Sequence, residues 1–294
     1  MDKIKSLADL RNIKENLQKQ ASLNSPDTAL IRVGYATSGI ASGAKEVMNF
    51  LVEECGKRNV KATITQVGDM GYCYAEPTIE VTLPGKEPVV FGYVDVAKAD
   101  EIIEKYVKKG EMLDGVVPVD YLTIDEDVTN LQDKKQIRIA LKNCGFLDPE
   151  KIEDSIARDA YAALGKVLTE MKPQECIDLM KKSGLRGRGG GGFPTGLKWE
   201  LAAKTQAFPK YVICNADEGD PGAFMDRSVL EGDPHATLEA MAICGYCIGA
   251  NKGLIYIRAE YPLAIKRLKI AIEQATEAGL LGKNIFGTGF DFEI

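Results

Sequence analysis

The stretch Gly184-Leu-Arg-Gly-Arg-Gly-Gly-Gly-Gly-Phe-Pro-Thr-Gly-Leu-Lys198 organises the C-terminal half of this chain. Glycine adopts backbone conformations that other residues avoid, and it lets a ligand approach the backbone closely. Gly187, Gly189 and Gly192 fit G-x-G-x-x-G, a pattern that is only a weak sign of dinucleotide binding by itself. Residues 197–204 continue as a predicted helix, whose N-terminus would direct amides at an anion. We therefore predict a phosphate-binding loop; the arginines and the phenylalanine among the glycines disfavour a flexible linker.

Strand-like and helix-like segments alternate around this loop. A helix is predicted before it, over residues 174–183, with two lysines in its last turn. Alternating strands and helices imply right-handed crossovers and a parallel sheet. The predicted strands cover 211–215, 253–258 and 290–294, and the predicted helices cover 233–248 and 262–278.

The N-terminal half predicts a second α/β domain. An amphipathic helix over residues 2–20 comes first. The strands are predicted at 29–35, 62–67, 78–83 and 88–94, and the helices at 44–58 and 96–109. The loops Gly34–Gly43 and Gly68–Glu76 follow the first two strands, and in a parallel pair they would lie at the same end of the sheet.

The segment between these halves reads as a connector. Residues 113–133 are acidic around Asp125–Asp127, residues 134–141 form a strand or an extended segment, and residues 151–168 form a helix. We therefore divide the chain into an N-terminal helix (1–24), a first α/β domain (25–112), a connector with a helix (113–165) and a domain built on the glycine loop (166–294).

Charge and composition exclude some classes of function. The chain has 294 residues, a net charge of -6 and seven cysteines. An acidic chain lacks the basic face of a general nucleic-acid binder. No apolar run is long enough to span a membrane, and the N-terminus lacks the layout of a signal peptide. We therefore expect a cytoplasmic protein with reduced cysteines.

Three carboxylates and one carboxamide gather after the strand at 211–215. They belong to Asn215, Asp217, Glu218 and Asp220, at the carboxyl end of a predicted parallel strand, where ligands usually bind. Carboxylates would repel a phosphate, so they suit hydrogen-bond donors such as ribose hydroxyls, ring N–H groups or an amide. A solvated turn and a Mg²⁺ site remain the alternatives.

Other single residues have ordinary structural explanations. Lys198 either adds charge to a bound phosphate or lies solvated on a helix. Phe193 and Phe224 stack on an aromatic ring or pack in a core. His235, the only histidine, is predicted to be structural. The pair Cys244–Cys247 lies in an apolar helix, which favours buried thiols over a metal or redox site.

Several of these motifs together resemble one family. The segments Gly184–Lys198, Asn215–Gly222, Met225–Arg227 and Glu231–His235 are similar to the NADH-binding flavoprotein subunit of respiratory complex I. They are closer still to the diaphorase subunit of NAD(P)-linked, often electron-bifurcating, hydrogenases and formate dehydrogenases. The resemblance implies FMN in a Rossmann-like domain, hydride transfer from NAD(P)H to the flavin, and onward transfer of single electrons to iron–sulfur clusters.

The resemblance also implies the site residues by position. Glu218 would lie beside the nicotinamide and the flavin and shape hydride transfer. Asp220 stands where complex I subunits often have Glu, which affects redox tuning rather than the class of reaction. No residue is predicted to bind a metal. The implied cofactor-binding residues are Gly187, Arg188, Gly189, Gly190, Gly191, Gly192, Phe193, Pro194, Thr195, Gly196, Lys198, Asn215, Asp217 and Glu218.

The first α/β domain resembles the thioredoxin-like [2Fe–2S] ferredoxins in its two loops. Such a cluster needs four thiolates, and these loops offer only Cys73. Asp69 stands where family members carry a cysteine, and the first loop has Thr37 and Ser38 instead of cysteines. We therefore predict that the thioredoxin-like fold is kept, that the [2Fe–2S] cluster is lost, and that Cys73 is a structural thiol.

Family members continue beyond the position of Ile294. They carry a second glycine-rich flavin segment, a ubiquitin-like domain and a helical domain with a four-cysteine [4Fe–4S] motif. We therefore expect a fragment or a shortened relative with an incomplete flavin domain, which binds FMN weakly or not at all and is inactive alone. Its expected partners are the iron–sulfur and catalytic subunits of a hydrogenase or formate dehydrogenase. The alternative is a shortened, non-catalytic module for nucleotide binding or assembly.

Overall fold

A computed structural model describes residues 3–23, 27–118, 121–123 and 136–294. The contacts divide the chain into two units, and neither unit is one continuous segment. The glycine-loop unit consists of Met1–Asn16, Ser155–Ala223 and Pro234–Ile294. The five-stranded unit consists of Leu17–Asp154 and Phe224–Asp233. The acidic stretch Asp125–Asp127 lies outside the described residues.

The five-stranded unit is a mixed sheet with helices. Its sheet has the order β2-β1-β3-β4-β5; β1 and β2 are parallel, and the other neighbours are antiparallel. The predicted strands are confirmed to within a few residues, and the two loops after β1 and β2 do lie at one end of the sheet. The strands are β1 (Ala29–Gly34), β2 (Ala62–Val67), β3 (Ile79–Thr82), β4 (Val89–Phe91) and β5 (Val116–Val117).

Short helices and a small strand pair complete this unit. They are α2 (Thr37–Ala41), α3 (Ala44–Lys57), α4 (Val96–Glu101), which continues as a π-helical segment (Ile102–Val107), and α9 (Met225–Gly232). The parallel pair is β6 (Tyr121–Thr123) and β7 (Gln136–Arg138). The helix α1 (Leu7–Leu23) begins among residues of the glycine-loop unit and ends among those of this unit.

The core of the five-stranded unit follows from alternation along its strands. Ile31, Val33, Ile79, Val81 and Phe91 are fully buried. In a strand, alternate residues point to the same face, so these side chains form one apolar layer. Helix α3 adds a buried stripe to that layer, as its helical spacing predicts, and Phe91 makes an edge contact with Tyr106, 5.3 Å between ring centroids.

The glycine-loop unit is mostly helical, with one parallel pair of strands. Strands β8 (Tyr211–Ala216) and β9 (Lys252–Ile257) run parallel from Tyr211↔Lys252 to Ala216↔Ile257. The helices are α5 (Ile152–Ala157), which begins just before this unit's second segment, α6 (Ala162–Glu170), α7 (Pro173–Ser183), α8 (Thr195–Lys204), α10 (Pro234–Ile248) and α11 (Pro262–Glu277), followed by β10 (Gly282–Ile285) and β11 (Phe290–Phe292).

Several details differ from the sequence predictions. Strand β11 pairs antiparallel with β10, and only its end, at Glu293, forms a parallel bridge to Lys252 at the start of β9. The helix predicted at 151–168 is broken, because Asp159 and Tyr161 adopt left-handed backbone conformations. Strands β5, β6 and β10 and helices α2 and α9 were not predicted. Across the described residues, no helix has the length and apolar character that crossing a bilayer requires.

Candidate functional site

The glycine loop connects two helices and closes on itself. Gly184 ends α7 in the left-handed conformation, as is usual for a C-terminal glycine. The amide of Gly187 then donates to the carbonyl of Phe193 (2.9 Å), and the amide of Thr195 donates to the carbonyl of Leu185 (2.9 Å). The chain between these bonds forms an outward loop that leads directly into the N-terminus of α8.

The glycines of this loop serve two different purposes. A Cβ added at Gly191 would meet no atom within 4 Å, so open space lies in front of the loop. A Cβ added at Gly196 would lie 2.5 Å from the backbone nitrogen of Lys181, so only glycine lets α8 start this close to α7. The loop is therefore open on the side where a ligand would approach and tightly packed at its base.

The start of α8 supplies positive charge beside this open space. The first amides of a helix lack helical partners and form the positive end of its dipole. Pro194 precedes the helix without a side-chain cap, and Lys198 lies exposed in the first turn. Open glycine backbone, helix amides and a lysine are the groups that hold a phosphate, so these residues fit a phosphate group.

The acidic turn after β8 contains both exposed and buried groups. Asp217 and Asp220 are exposed, whereas Glu218 is only 8% exposed. The side chain of Asn215 accepts a bond from the amide of Asp217 (3.2 Å), which fixes the start of the turn. A purely solvated turn would leave all its carboxylates in water, so Glu218 is held there by other groups.

Two residues after β9 hold Glu218. Arg258 donates from Nη1 to the Glu218 carbonyl (2.7 Å), and the hydroxyl of Tyr261 lies 3.2 Å from Glu218 Oε2. The sequence analysis did not single out either residue. The parallel pairing of β8 and β9 could have indicated Arg258. The ends of parallel neighbours lie at the same edge of a sheet, and Arg258 directly follows β9, as the acidic turn follows β8.

One face of the β8–β9 pair is apolar and exposed. Ile213 is 65% exposed and Leu254 is 51% exposed, and Tyr211 and Tyr256 are exposed as well. Asn215 alternates with Tyr211 and Ile213, so it belongs to the same open face. On the opposite face, Val212 and Ala216 are buried. Parallel strands are normally covered on both faces, so within the part of the chain that the structure describes this face lacks its usual cover.

The predicted cofactor residues all lie in the glycine-loop unit. The loop and the turn after β8 are bonded to different partners: the loop to its own ends, and the turn to Arg258 and Tyr261. Phe193 lies with the loop and is exposed, whereas Phe224 belongs to the five-stranded unit.

His235 has the contacts of a structural residue. It is fully buried, Nδ1 lies 2.8 Å from the Tyr161 hydroxyl, and Nε2 lies 3.2 Å from Gln274 Oε1. An amide oxygen only accepts hydrogen bonds, so Nε2 carries the proton and Nδ1 accepts from the hydroxyl. Burial lowers the pKa of His235 from 6.5 to about 4, so the ring is neutral.

The cysteine pair in α10 is enclosed by the helices. Cys247 is buried and Cys244 is partly buried. Burial raises the pKa of the Cys244 thiol to about 12, and burial together with Cys176 raises the pKa of Cys247. Both residues are therefore neutral thiols, the form that the sequence analysis favoured over a ligand pair.

The two loops of the five-stranded unit carry a polar network. Glu231 of α9 accepts bonds from the amide (2.9 Å) and the hydroxyl of Thr37. Ser38 donates to Glu76 (2.9 Å), and the Cys73 thiol donates to Asp69 (3.2 Å).

Two groups of this network have raised pKa values, Glu76 and Cys73. Burial and the nearby Asp69 raise the pKa of Glu76 to about 7 and that of Cys73 to about 12. Among the described residues, Asp69, Cys73 and Glu76 are the one set of three possible ligands with mutually close atoms, within 4.8 Å. Four thiolates are not present here, so these residues do not fit a [2Fe–2S] cluster.

Known proteins resemble part of this chain. Residues 180–294 match the family described as the Nuo51 FMN-binding domain. The chain is 67% identical over 162 residues to the NADP-reducing hydrogenase subunit HndC of Solidesulfovibrio fructosivorans, a match that covers 55% of this chain and 33% of that subunit. It is 52% identical over 143 residues to an NADH-quinone oxidoreductase subunit of Aquifex aeolicus, covering 49% of this chain and 33% of that subunit.

Solved structures resemble the chain more loosely. The structure of an NAD⁺-reducing [NiFe]-hydrogenase in the H₂-reduced state aligns with 100% of this chain and 51% of its own chain, at 20% identity and a TM-score of 0.42. A thioredoxin-like [2Fe–2S] ferredoxin from Aquifex aeolicus aligns with 31% of this chain and 92% of its own, at 23% identity and a TM-score of 0.28.

The matches to curated relatives are strong in identity but partial in extent. The matched part of the chain spans about a third of the length of these relatives. The family match contains the glycine loop, the acidic turn, Arg258 and Tyr261, which are the groups assembled above. The similarity to the Nuo51 FMN-binding domain family therefore covers residues 180–294, the region that carries these groups.

Proposed function

We propose that this chain is, or is part of, the subunit at which electrons enter a multisubunit oxidoreductase, where hydride passes between NAD(P)H and FMN. The observation that carries the proposal is the open glycine loop leading into α8, in a region that matches an FMN-binding family. The relatives are named as hydrogenase and quinone oxidoreductase subunits that use NADP or NADH. FMN, when bound, accepts a hydride and releases its electrons singly.

Each part of the site has a role in this proposal. The backbone of Gly187–Gly196 and the start of α8 would hold phosphate groups, and Lys198 would add positive charge there. Asn215 and Asp217, exposed at the end of β8, would bind donor groups of the flavin nucleotide. Glu218, held by Arg258 and Tyr261, would lie beside the nicotinamide and shape hydride transfer.

We further propose that the five-stranded unit contains a thioredoxin-like domain over residues 25–112 that has lost its [2Fe–2S] cluster. Support comes from its side chains: Thr37, Ser38 and Asp69 bond to other protein groups, and Cys73 is the only cysteine in the two loops. A Rossmann-like domain over residues 166–294 would then carry the nucleotide chemistry. A [4Fe–4S] cluster is proposed only for a longer form of this chain.

The partners and the location are proposals of the same kind. We propose iron–sulfur and catalytic subunits of a hydrogenase or formate dehydrogenase as partners, in the cytoplasm. The name of the Solidesulfovibrio relative supports the hydrogenase, and the formate dehydrogenase rests on the resemblance of motifs alone.

The test is an anaerobic FMN titration of the chain, followed by addition of NADH. The motifs alone predicted an inactive chain; because the structure contains an open glycine loop and a held Glu218, we instead expect weak FMN binding, seen as quenching of flavin fluorescence, and bleaching of the flavin absorbance by NADH. Gly191→Val should weaken FMN binding about tenfold or more, because the new side chain would occupy the open space without disturbing the fold. Gly56→Val is the matched control, since a Cβ there also meets no atom within 4 Å.

Two outcomes would contradict the proposal. FMN binding that is equal in the wild type and in Gly191→Val would place the flavin elsewhere. Nucleotide binding without flavin bleaching would favour the alternative, a non-catalytic module for nucleotide binding or assembly. A variant that carries the C-terminal continuation of a relative's subunit distinguishes an incomplete pocket from an absent one, because only the incomplete pocket gains tight FMN binding.

A further inference from the structure

The phenol of Tyr261 lies at the centre of the acidic turn. Its oxygen is 3.2 Å from Glu218 Oε2, 3.3 Å from the Glu218 carbonyl and 3.3 Å from the Ala223 carbonyl. Tyr261 is only 6% exposed. One buried hydroxyl therefore reaches a side chain in the turn and the backbone at two points five residues apart.

The hydroxyl has a single proton to donate among these three acceptors. The Glu218 carbonyl already accepts a bond of 2.7 Å from Arg258. A carboxylate is a stronger acceptor than a neutral carbonyl, so the Tyr261 hydroxyl donates its hydrogen bond to Glu218 Oε2. The carboxylate of Glu218 is thereby fixed in one orientation in a mostly buried position.

Arg258 and the start of α11 fix the position of Tyr261. The guanidinium of Arg258 lies over the Tyr261 ring, 5.3 Å from its centroid, and it also pairs with Glu260 (2.9 Å). Tyr261 immediately precedes α11, and the helix starts at Pro262, which fixes the backbone there. The phenol thus approaches Glu218 from a rigid support rather than from a loose loop.

We propose that Tyr261 is a positioning residue that orients the Glu218 carboxylate and closes the turn from Glu218 to Ala223. This inference rests on the proposed function, in which Glu218 faces the nicotinamide. In that function Tyr261 does not touch the reacting atoms; it acts through Glu218. A carboxylate fixed before the nucleotide arrives need not be ordered during the reaction, so loss of the phenol would slow hydride transfer more than it weakens nucleotide binding.

The first experiment measures hydrogen exchange in the chain without any cofactor. Tyr261→Phe keeps the ring and removes only the hydroxyl. We expect the amides of residues 217–220, 222 and 223 to exchange about tenfold faster in this variant, since a hydrogen bond to a charged group is lost, while the amides of β8 and β9 keep the wild-type rate. Tyr211→Phe, at the opposite end of β8, is the matched control and should change neither region.

A second measurement does not require that Tyr261→Phe folds. In the wild-type background, Glu218→Gln should move the NMR signal of the ζ carbon of Tyr261, because the charged acceptor of its hydroxyl has been replaced. The signal of Tyr211 should not move. An unmoved Tyr261 signal, or unchanged exchange at residues 217–223 in a folded Tyr261→Phe, would overturn the inference.

The third experiment separates this inference from the proposed function. With FMN and NADH, Tyr261→Phe should lower the rate of flavin bleaching at saturating NADH about tenfold and change the NADH concentration for half-saturation less than about twofold. On a Glu218→Gln background the same change should have no further effect. If the wild type shows no bleaching, the proposed function fails, whereas the exchange and NMR results still decide whether Tyr261 orients Glu218. An additive effect of the two substitutions would overturn the inference.

Discussion

The two sheets of this chain differ in how completely they are covered. In the five-stranded unit the residues of one strand face, from Ile31 to Phe91, are fully buried. In the β8–β9 pair one face is buried, while Ile213 and Leu254 stand exposed on the other. The first sheet forms its own core, whereas the second keeps an apolar face in solvent beside the residues of the proposed nucleotide site.

This difference indicates where stability and where function reside. A covered sheet tolerates little change, because every lost methylene leaves a cavity. An uncovered parallel pair is stabilised from one side only, and Asn215 lies on its open face. We therefore expect substitutions in the first sheet to act on the free energy of unfolding, and substitutions on the open face of the second to act on binding.

The largest effect is expected for Phe91→Ala in β4. The ring is fully buried and contacts Tyr106. Its removal should lower the free energy of unfolding by about 3–5 kcal/mol. The measurement is urea denaturation, followed through NMR signals of residues in the five-stranded unit. A loss below about 1 kcal/mol would mean that the side chains of this sheet do not form a closed core.

The next effect depends on pH and on His235. Above pH 6.5 the ring is neutral in both the folded and the unfolded chain. Between 6.5 and about 4 only the unfolded chain takes up the proton, so the free energy of unfolding falls as the pH falls. Over this pH range the free energy of unfolding should fall by an amount on the order of 3 kcal/mol.

His235→Gln provides the test, because this chain has no other histidine. The variant should lose the part of the pH dependence that lies between 6.5 and about 4, measured by urea unfolding across that range. The carboxylates titrate in both proteins and cancel in the comparison. An unchanged slope would show that the buried ring is not the group that titrates.

A smaller effect is expected at the base of the glycine loop. Gly196→Ala would force a Cβ to within 2.5 Å of the Lys181 backbone nitrogen, so we expect a loss of about 1–3 kcal/mol in the glycine-loop unit. Gly56→Ala in α3 meets no neighbour and should be neutral or stabilise by up to about 1 kcal/mol. Equal thermal shifts in the two variants would contradict the tight contact between α7 and α8.

The smallest effect is expected on the open face. Ile213→Thr should change the free energy of unfolding by less than about 0.5 kcal/mol, because the side chain is already mostly in water. The same variant should bind less of a hydrophobic dye, since it removes part of the exposed apolar face. A loss comparable to that of Phe91→Ala would mean that this face is covered in solution, and the comparison between the sheets would then fail.

Local patterns predicted much of the fold. The strands and helices from Ala29 to Val107 follow from alternation and helical spacing, which are visible within one segment. Strand β5 was missed because two residues carry no period. Helix α9 was missed because its most buried acidic residue, Glu231, is satisfied by Thr37, 194 positions away in sequence. Such long-range partners leave no mark in a local pattern.

The candidate site also contains some residues that the sequence reveals and others that only the fold reveals. The glycine loop and the turn from Asn215 to Glu218 are evident from their composition. Arg258 and Tyr261 are ordinary residues in the sequence, and their part depends on the register of two strands and on the start of a helix. A charged residue directly after the second of two parallel strands is the signal that would have indicated Arg258.

The interleaving of the two units has a consequence for synthesis on the ribosome. The amide of Ile4 bonds to the carbonyl of Ala278 (2.8 Å), and residues 224–233 belong with a unit that is otherwise made before residue 155. Ile4 must therefore wait until Ala278 has been made before it reaches its final partner. No single cut in the gene separates the units, so a recombination event could not exchange one of them without carrying part of the other.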